Sequence, residues 1–128
     1  MLHRMITAAA WASIAVIAYA TLSRVGMVYS MYERIAPLVN RPSISSYVHF
    51  EHLLAFAVAG LLFGLAYPRS TILVCCIVFG TAALLEILQT LTPDRHGTVF
   101  DALEKMAGGA AGILVARTAI WSYSKRRS

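Results

Sequence analysis

The sequence predicts an all-α fold: an integral membrane four-helix bundle with both termini in the cytoplasm. Three observations carry that reading. Of 128 residues, 59% are hydrophobic and only 13% charged, whereas a soluble domain carries about a quarter charged residues. Four apolar stretches approach the roughly 20 residues that a helix needs to cross lipid. None of them alternates with the period of two that a transmembrane strand requires.

The first stretch, residues 5–22, reads MITAAAWASIAVIAYATL. Arg4, the apolar run and Ala18-Tyr19-Ala20 also fit a cleavable signal peptide. The run extends to Leu22, which is long for a signal, so a retained span is expected, and either outcome leaves Met1 cytoplasmic. The second span covers 48–67 and is ended by Pro68-Arg69. The third covers 70–92 and the fourth 100–121, within a single domain of residues 1–128. Between the first two spans, Ser23 to Tyr47 forms a long connection whose stretch VGMVYSMYERIAPLV mixes Met27, Tyr29, Met31 and Tyr32 with Arg34. An irregular loop with aromatic anchors is preferred there to a short amphipathic helix lying at the interface.

Four spans put both termini on one face, which holds Arg4, Arg69, Arg117, Lys125, Arg126 and Arg127 and no acid. The other face takes Arg24, Arg34, Arg41, Arg95 and Lys105 with all six acids. The Lys-Arg-Arg run beyond the last span sets the direction, since basic residues flanking spans stay cytoplasmic. The expected location is the inner (plasma) membrane, crossed several times, with membrane lipids as the immediate partners. The net charge of +5 is scattered; a nucleic-acid binder would gather it on one folded face, so no nucleic-acid partner is expected. Cys75 and Cys76 are adjacent in an apolar run and read as small packing side chains. Trp11 and Trp121 read as interfacial anchors, and Arg117 as a side chain that snorkels to the cytoplasmic surface.

The polar residues collect at the opposite end. Span two begins with His49, Glu51 and His52, and span three ends with Glu86 and Gln89. Asp94, Arg95 and His96 follow, and span four begins with Asp101, Glu104 and Lys105. At 100° per residue, Glu86 and Gln89 lie about 60° apart and share a face. Asp101, Lys105, Gly108 and Gly112 fall on one stripe of span four, so this stripe should face protein, because glycine lets a neighbouring helix approach closely. His49, His52, Phe56 and Gly60 repeat the design on span two, where Gly60 and Gly64 form a second GxxxG; Glu51 lies off that stripe. Charge inside lipid is costly and is offset by pairing, Glu86 with Arg95 and Asp101 with Lys105 at i, i+4.

Glu86-x-x-Gln89, Arg95-x-x-Thr98-x-x-Asp101 and Gly108-x-x-x-Gly112, preceded by His52-x-x-x-Phe56-x-x-x-Gly60, together resemble the VanZ-like family of small bacterial membrane proteins. The resemblance covers roughly residues 48 to 112. The family is named for a protein linked to glycopeptide antibiotic resistance in Gram-positive bacteria, so the resemblance implies a polytopic protein of the cell envelope and carries over no reaction. Three positions depart from the pattern. Val48-His49 stand where Asp-Lys is frequent, Phe56 lacks the usual tyrosine hydroxyl, and Lys105 replaces a typical asparagine. A lysine there closes an ion pair with Asp101 or Glu86.

Three functions follow. The preferred one is a binding or accessory role at the envelope. An outward pocket of His49, His52, Glu86, Gln89, Arg95, His96, Asp101 and Lys105 would hold an anionic lipid or lipid-linked cell-wall material, with a link to antibiotic tolerance. The second is a membrane-embedded hydrolase or transferase, with Glu86 as general base, Arg95 gripping a phosphate or carboxylate, and Asp101 orienting a histidine. No serine or cysteine stands beside a histidine as a nucleophile, so catalysis ranks lower. The third is a structural partner for another membrane protein, with the polar cluster as glue between helices. No cofactor is expected and no metal. His49 and His52 at i, i+3 with His96, Glu86 or Asp101 would supply ligands, but Arg95 and Lys105 crowd a cation.

Overall fold

The computed structural model describes residues 1–23, 44–91 and 98–127, without the side chains of residues 44–49. The described chain is helical: α1 is Leu2–Leu22, α2 Ile44–Ala66, α3 Thr71–Thr90 and α4 Val99–Arg127. Helix α2 begins four residues ahead of the expected span. The expected loop with Met27, Tyr29, Met31, Tyr32 and Arg34 lies outside the described residues.

Helices α1 and α3 are long and apolar enough to cross a membrane, and α2 contributes the shorter apolar stretch Phe50–Ala66. Helix α4 has 29 residues, or about 43 Å at 1.5 Å per residue, more than the roughly 30 Å of a hydrocarbon core. Its charged head and basic tail dilute an apolar middle.

Helices α2 and α4 make the most extensive contact; α1 packs on α2 and α3, and α3 touches all the others. The α2–α4 contact is built from glycine. A methyl group added at Gly108 would run into the Leu53 carbonyl, at Gly112 into the Ala57 carbonyl, and at Gly60 into the Gly109 carbonyl. One at Gly64 would meet the Ala116 methyl at 2.5 Å. Matching levels run in the same order, 53 with 108, 57 with 112 and 64 with 116, so the helices are parallel with backbones nearly touching. That is the packing small residues permit where lipid supplies no hydrophobic drive between helices.

Between these helices lies a narrow core of Phe56, Phe63, Val74, Val78, Ala82, Leu85 and Ile113. Outside it, large apolar side chains face outward on every helix, among them Val16, Leu54, Ile72, Leu84, Ile87 and Leu114. Soluble monomers seldom leave so much contiguous apolar surface uncovered, and in lipid it is solvated.

At one end, α1 and α4 meet the turn between α2 and α3. Pro68 sits in a tight turn closed by the Ser70 N–H on the Tyr67 carbonyl at 3.2 Å, where its fixed φ suits the second turn position. The imidazole Nε2 of His3 lies 2.9 Å from the Ala66 carbonyl oxygen. Arg117 donates to the Pro68 carbonyl and, at 3.4 Å, to that of Tyr67. These groups take up carbonyls that the end of α2 leaves without helical partners. Arg117 is thus a cap on a neighbouring helix as well as a group reaching the surface. Trp11 packs edge-on to Phe63 at 5.3 Å and donates its indole N–H to the Tyr67 hydroxyl at 3.1 Å, so it ties α1 to α2. Cys75 is half-buried, Cys76 exposed, and neither is in a disulfide.

Candidate functional site

The other end is organised by how α4 starts. The Ala102 N–H bonds the Thr98 carbonyl at 3.2 Å, which makes Thr98 the N-cap. Its hydroxyl accepts the Asp101 N–H at 3.1 Å and donates to the Asp101 carboxylate at 2.7 Å. In a capping box the acid three residues on would return to the N-cap N–H. Here that N–H donates instead to Glu86 Oε1 on α3, at 2.7 Å. The N-cap of α4 is thereby fastened to another helix.

Two turns further in, Lys105 points into the bundle and is fully buried. Its ammonium is paired with Glu86 Oε2 and donates to Gln89 Oε1 at 3.2 Å. Glu86 and Gln89 are each 7% exposed. The Gln89 amide nitrogen reaches the carbonyl of Thr21, at the end of α1, over a long 3.5 Å. Only one amide orientation satisfies both neighbours, oxygen towards the ammonium and nitrogen towards the carbonyl. The result is one polar chain running Thr21, Gln89, Lys105, Glu86, Thr98 and Asp101 across α1, α3 and α4. Both oxygens of Glu86 are engaged, so the buried charges are matched and bonded, the condition under which burial is tolerated.

The structure therefore brings Glu86, Gln89, Lys105 and Asp101 into one network. It decides between the two acids expected for Lys105: the ion pair is with Glu86, nineteen residues earlier on α3, and not with Asp101 at i, i+4, which is engaged by Thr98. A helix stripe brings i and i+4 near each other, but burial turns the long lysine towards the acid already inside the bundle. His52 is half-buried on α2, next to Leu53, whose carbonyl abuts Gly108, and so stands about level with the cluster. Glu51 is exposed. The side chain of His49, and Asp94, Arg95 and His96 with the expected Glu86–Arg95 pair, lie outside the described residues. Gly60, Gly64, Gly108 and Gly112 all line helix contacts.

Sequence reasoning passed over three participants. Thr98 stood in the motif with no role given to it, though Thr-x-x-Asp ahead of an apolar run signals a cap. Gly109, whose added methyl would meet Val78 at 2.5 Å, lies one position off the chosen stripe and seats α3. Thr21 joins through its backbone carbonyl, for which no side-chain pattern is a signal.

Chemically, the cluster offers matched charge beneath a helix start. Among the described residues, no group of three or more His, Cys, Asp or Glu side chains is placed to hold a metal ion. Compared with known proteins, the chain matches the sequence model of the VanZ/LLP1 family over residues 5–121. No curated protein and no solved structure matches it. That match, with two helices long and apolar enough to cross a membrane, points to a membrane protein.

Proposed function

Because the chain belongs to the VanZ/LLP1 family, we propose that it is a four-span protein of the inner membrane with an envelope-side binding site. Both termini are cytoplasmic, residues 1–128 form one domain, and the polar end faces outward. It binds an anionic amphiphile, either a lipid or lipid-linked cell-wall material; the shared chemistry is a phosphate-bearing head group on an apolar tail. An accessory role in the envelope, including antibiotic tolerance, follows from such binding.

The observation that carries this reading is the buried Lys105–Glu86–Gln89 network. It fixes the tips of three helices, and through Gln89 and Thr98 it fixes both flanks of the segment bearing Asp94, Arg95 and His96. Arg95 stands three residues ahead of the anchored Thr98. The network is a floor, and Arg95, with His49, His52 and His96, is the proposed head-group contact. Glu86 is poorly suited to be a general base, since Thr98 and Lys105 already occupy both its oxygens, which favours binding over catalysis. The complete burial of Lys105 favours a second reading, in which the cluster is glue alone and the chain supports another membrane protein.

Two variants separate these. In detergent, with added phosphatidylglycerol or undecaprenyl phosphate, the wild type should unfold at a higher temperature than without ligand. Arg95→Ala should unfold at the wild-type temperature without ligand and lose that ligand-dependent rise. Lys105→Met should lower the ligand-free midpoint itself. Binding by Arg95→Ala equal to wild type would remove the head-group site and leave the glue reading.

A further inference from the structure

The end of α4 has no part in the cluster or in the bundle. Arg117 is fastened to the α2–α3 turn, and from there the helix continues to Arg127. Ten residues at 1.5 Å each carry it about 15 Å past the turn. Every residue from Trp121 to Arg127 is exposed. This projecting helix carries Trp121, Tyr123, Lys125, Arg126 and Arg127, and the chain has no acid from Met106 onward. Nor is there an acid in residues 1–4 or 66–70, which share this end with Arg4 and Arg69. No Asp or Glu side chain of this end neutralises the positive charges here.

The side-chain geometry says where those charges sit. The Lys125 ammonium lies over the Trp121 ring, 5.2 Å from its centre, and the Arg127 guanidinium lies over the Tyr123 ring at 4.8 Å. Each cation is folded back by four residues along the helix, the direction in which helical side chains tilt. They are thus held at the level of the rings, about 6 and 9 Å beyond Arg117 by helix rise, and not at the helix tip. A head-group layer is about 5–7 Å thick on each side of the hydrocarbon. Tryptophan and tyrosine settle in that layer, and basic residues close to it are attracted to anionic lipid.

From this we propose that residues 121–127 form a binding site for anionic lipid head groups at the terminal end of the bundle. Trp121 lies among the head groups and Tyr123 at their outer edge, and Lys125 and Arg127, held on their rings, meet the lipid phosphates with Arg126 beside them. This rests on the membrane-spanning reading above and is independent of the proposed site at the opposite end.

The test uses the full chain reconstituted in vesicles of equal parts phosphatidylglycerol and phosphatidylcholine, released into native mass spectrometry. The wild type should retain phosphatidylglycerol in preference, and the preference should weaken with salt. Lys125→Gln/Arg126→Gln/Arg127→Gln should cut the ratio of anionic to zwitterionic adducts at least roughly tenfold. Trp121→Ala/Tyr123→Ala keeps every charge but removes the rings, and should lower the ratio in part. An unchanged ratio in the charge variant, with the protein still resistant to alkaline extraction from membranes, would overturn this site and spare the spanning reading. A wild type that alkaline carbonate strips from the vesicles would overturn both.

Discussion

Lys105 shows what a single side chain does in this bundle. Its four methylenes carry an ammonium from α4 to Glu86 and Gln89 on α3 with no exposed surface. Removing one member of a buried pair strands the other's charge, which costs about 3–5 kcal/mol, whereas removing both is often nearly neutral. Glu86→Gln and Lys105→Met should therefore each lower the unfolding free energy by about that much, and the double variant should recover most of the loss. Thermal or denaturant unfolding in detergent measures the cycle; additive losses would mean that the pair does not act as one. The sequence gathered Glu86, Gln89 and Lys105 at one end by span and phase, yet left the lysine two acids to choose from. Spacing along one helix is visible in a sequence. The rotation that brings α3 against α4 is set by Gly109 on Val78, one position off the stripe, and is not visible.

At the scale of elements, the glycine contact between α2 and α4 decides the architecture. The GxxxG spacings marked Gly60, Gly64, Gly108 and Gly112 as interface positions, because that periodicity depends on helix geometry alone. Which helix each would meet was not legible, since two parallel helices joined through α3 leave no local signal. Gly112→Leu would press a side chain into the Ala57 carbonyl, backbone that has nowhere to go. Overpacking costs about 1–3 kcal/mol where side chains can shift, so the loss here should reach at least that range. Gly80 has nothing within 4 Å of an added methyl, and Gly80→Ala should leave the unfolding midpoint unchanged or slightly raised. Paired thermal melts of the two variants check this; a Gly112→Leu protein as stable as wild type would dissolve the close contact.

For the whole molecule, the two ends differ in kind. One gathers the buried acid–base network of Thr21, Glu86, Gln89 and Lys105, joined to the exposed Thr98. The other is basic, capped by His3 and Arg117, and carries the projecting tail. The proposed orientation, with one end towards the envelope and the other towards the cytoplasm, needs them to be separated by the length of the bundle. The direct measurement is thiol labelling with a membrane-impermeant reagent on spheroplasts of a strain carrying the Cys75→Ser/Cys76→Ser protein. Cysteine is placed at Val99 or at Arg126, both exposed. The account predicts modification of Val99→Cys in intact spheroplasts and of Arg126→Cys only after lysis. The reverse pattern would turn the cluster towards the cytoplasm, and labelling of both in intact spheroplasts would remove the even number of spans on which the account stands.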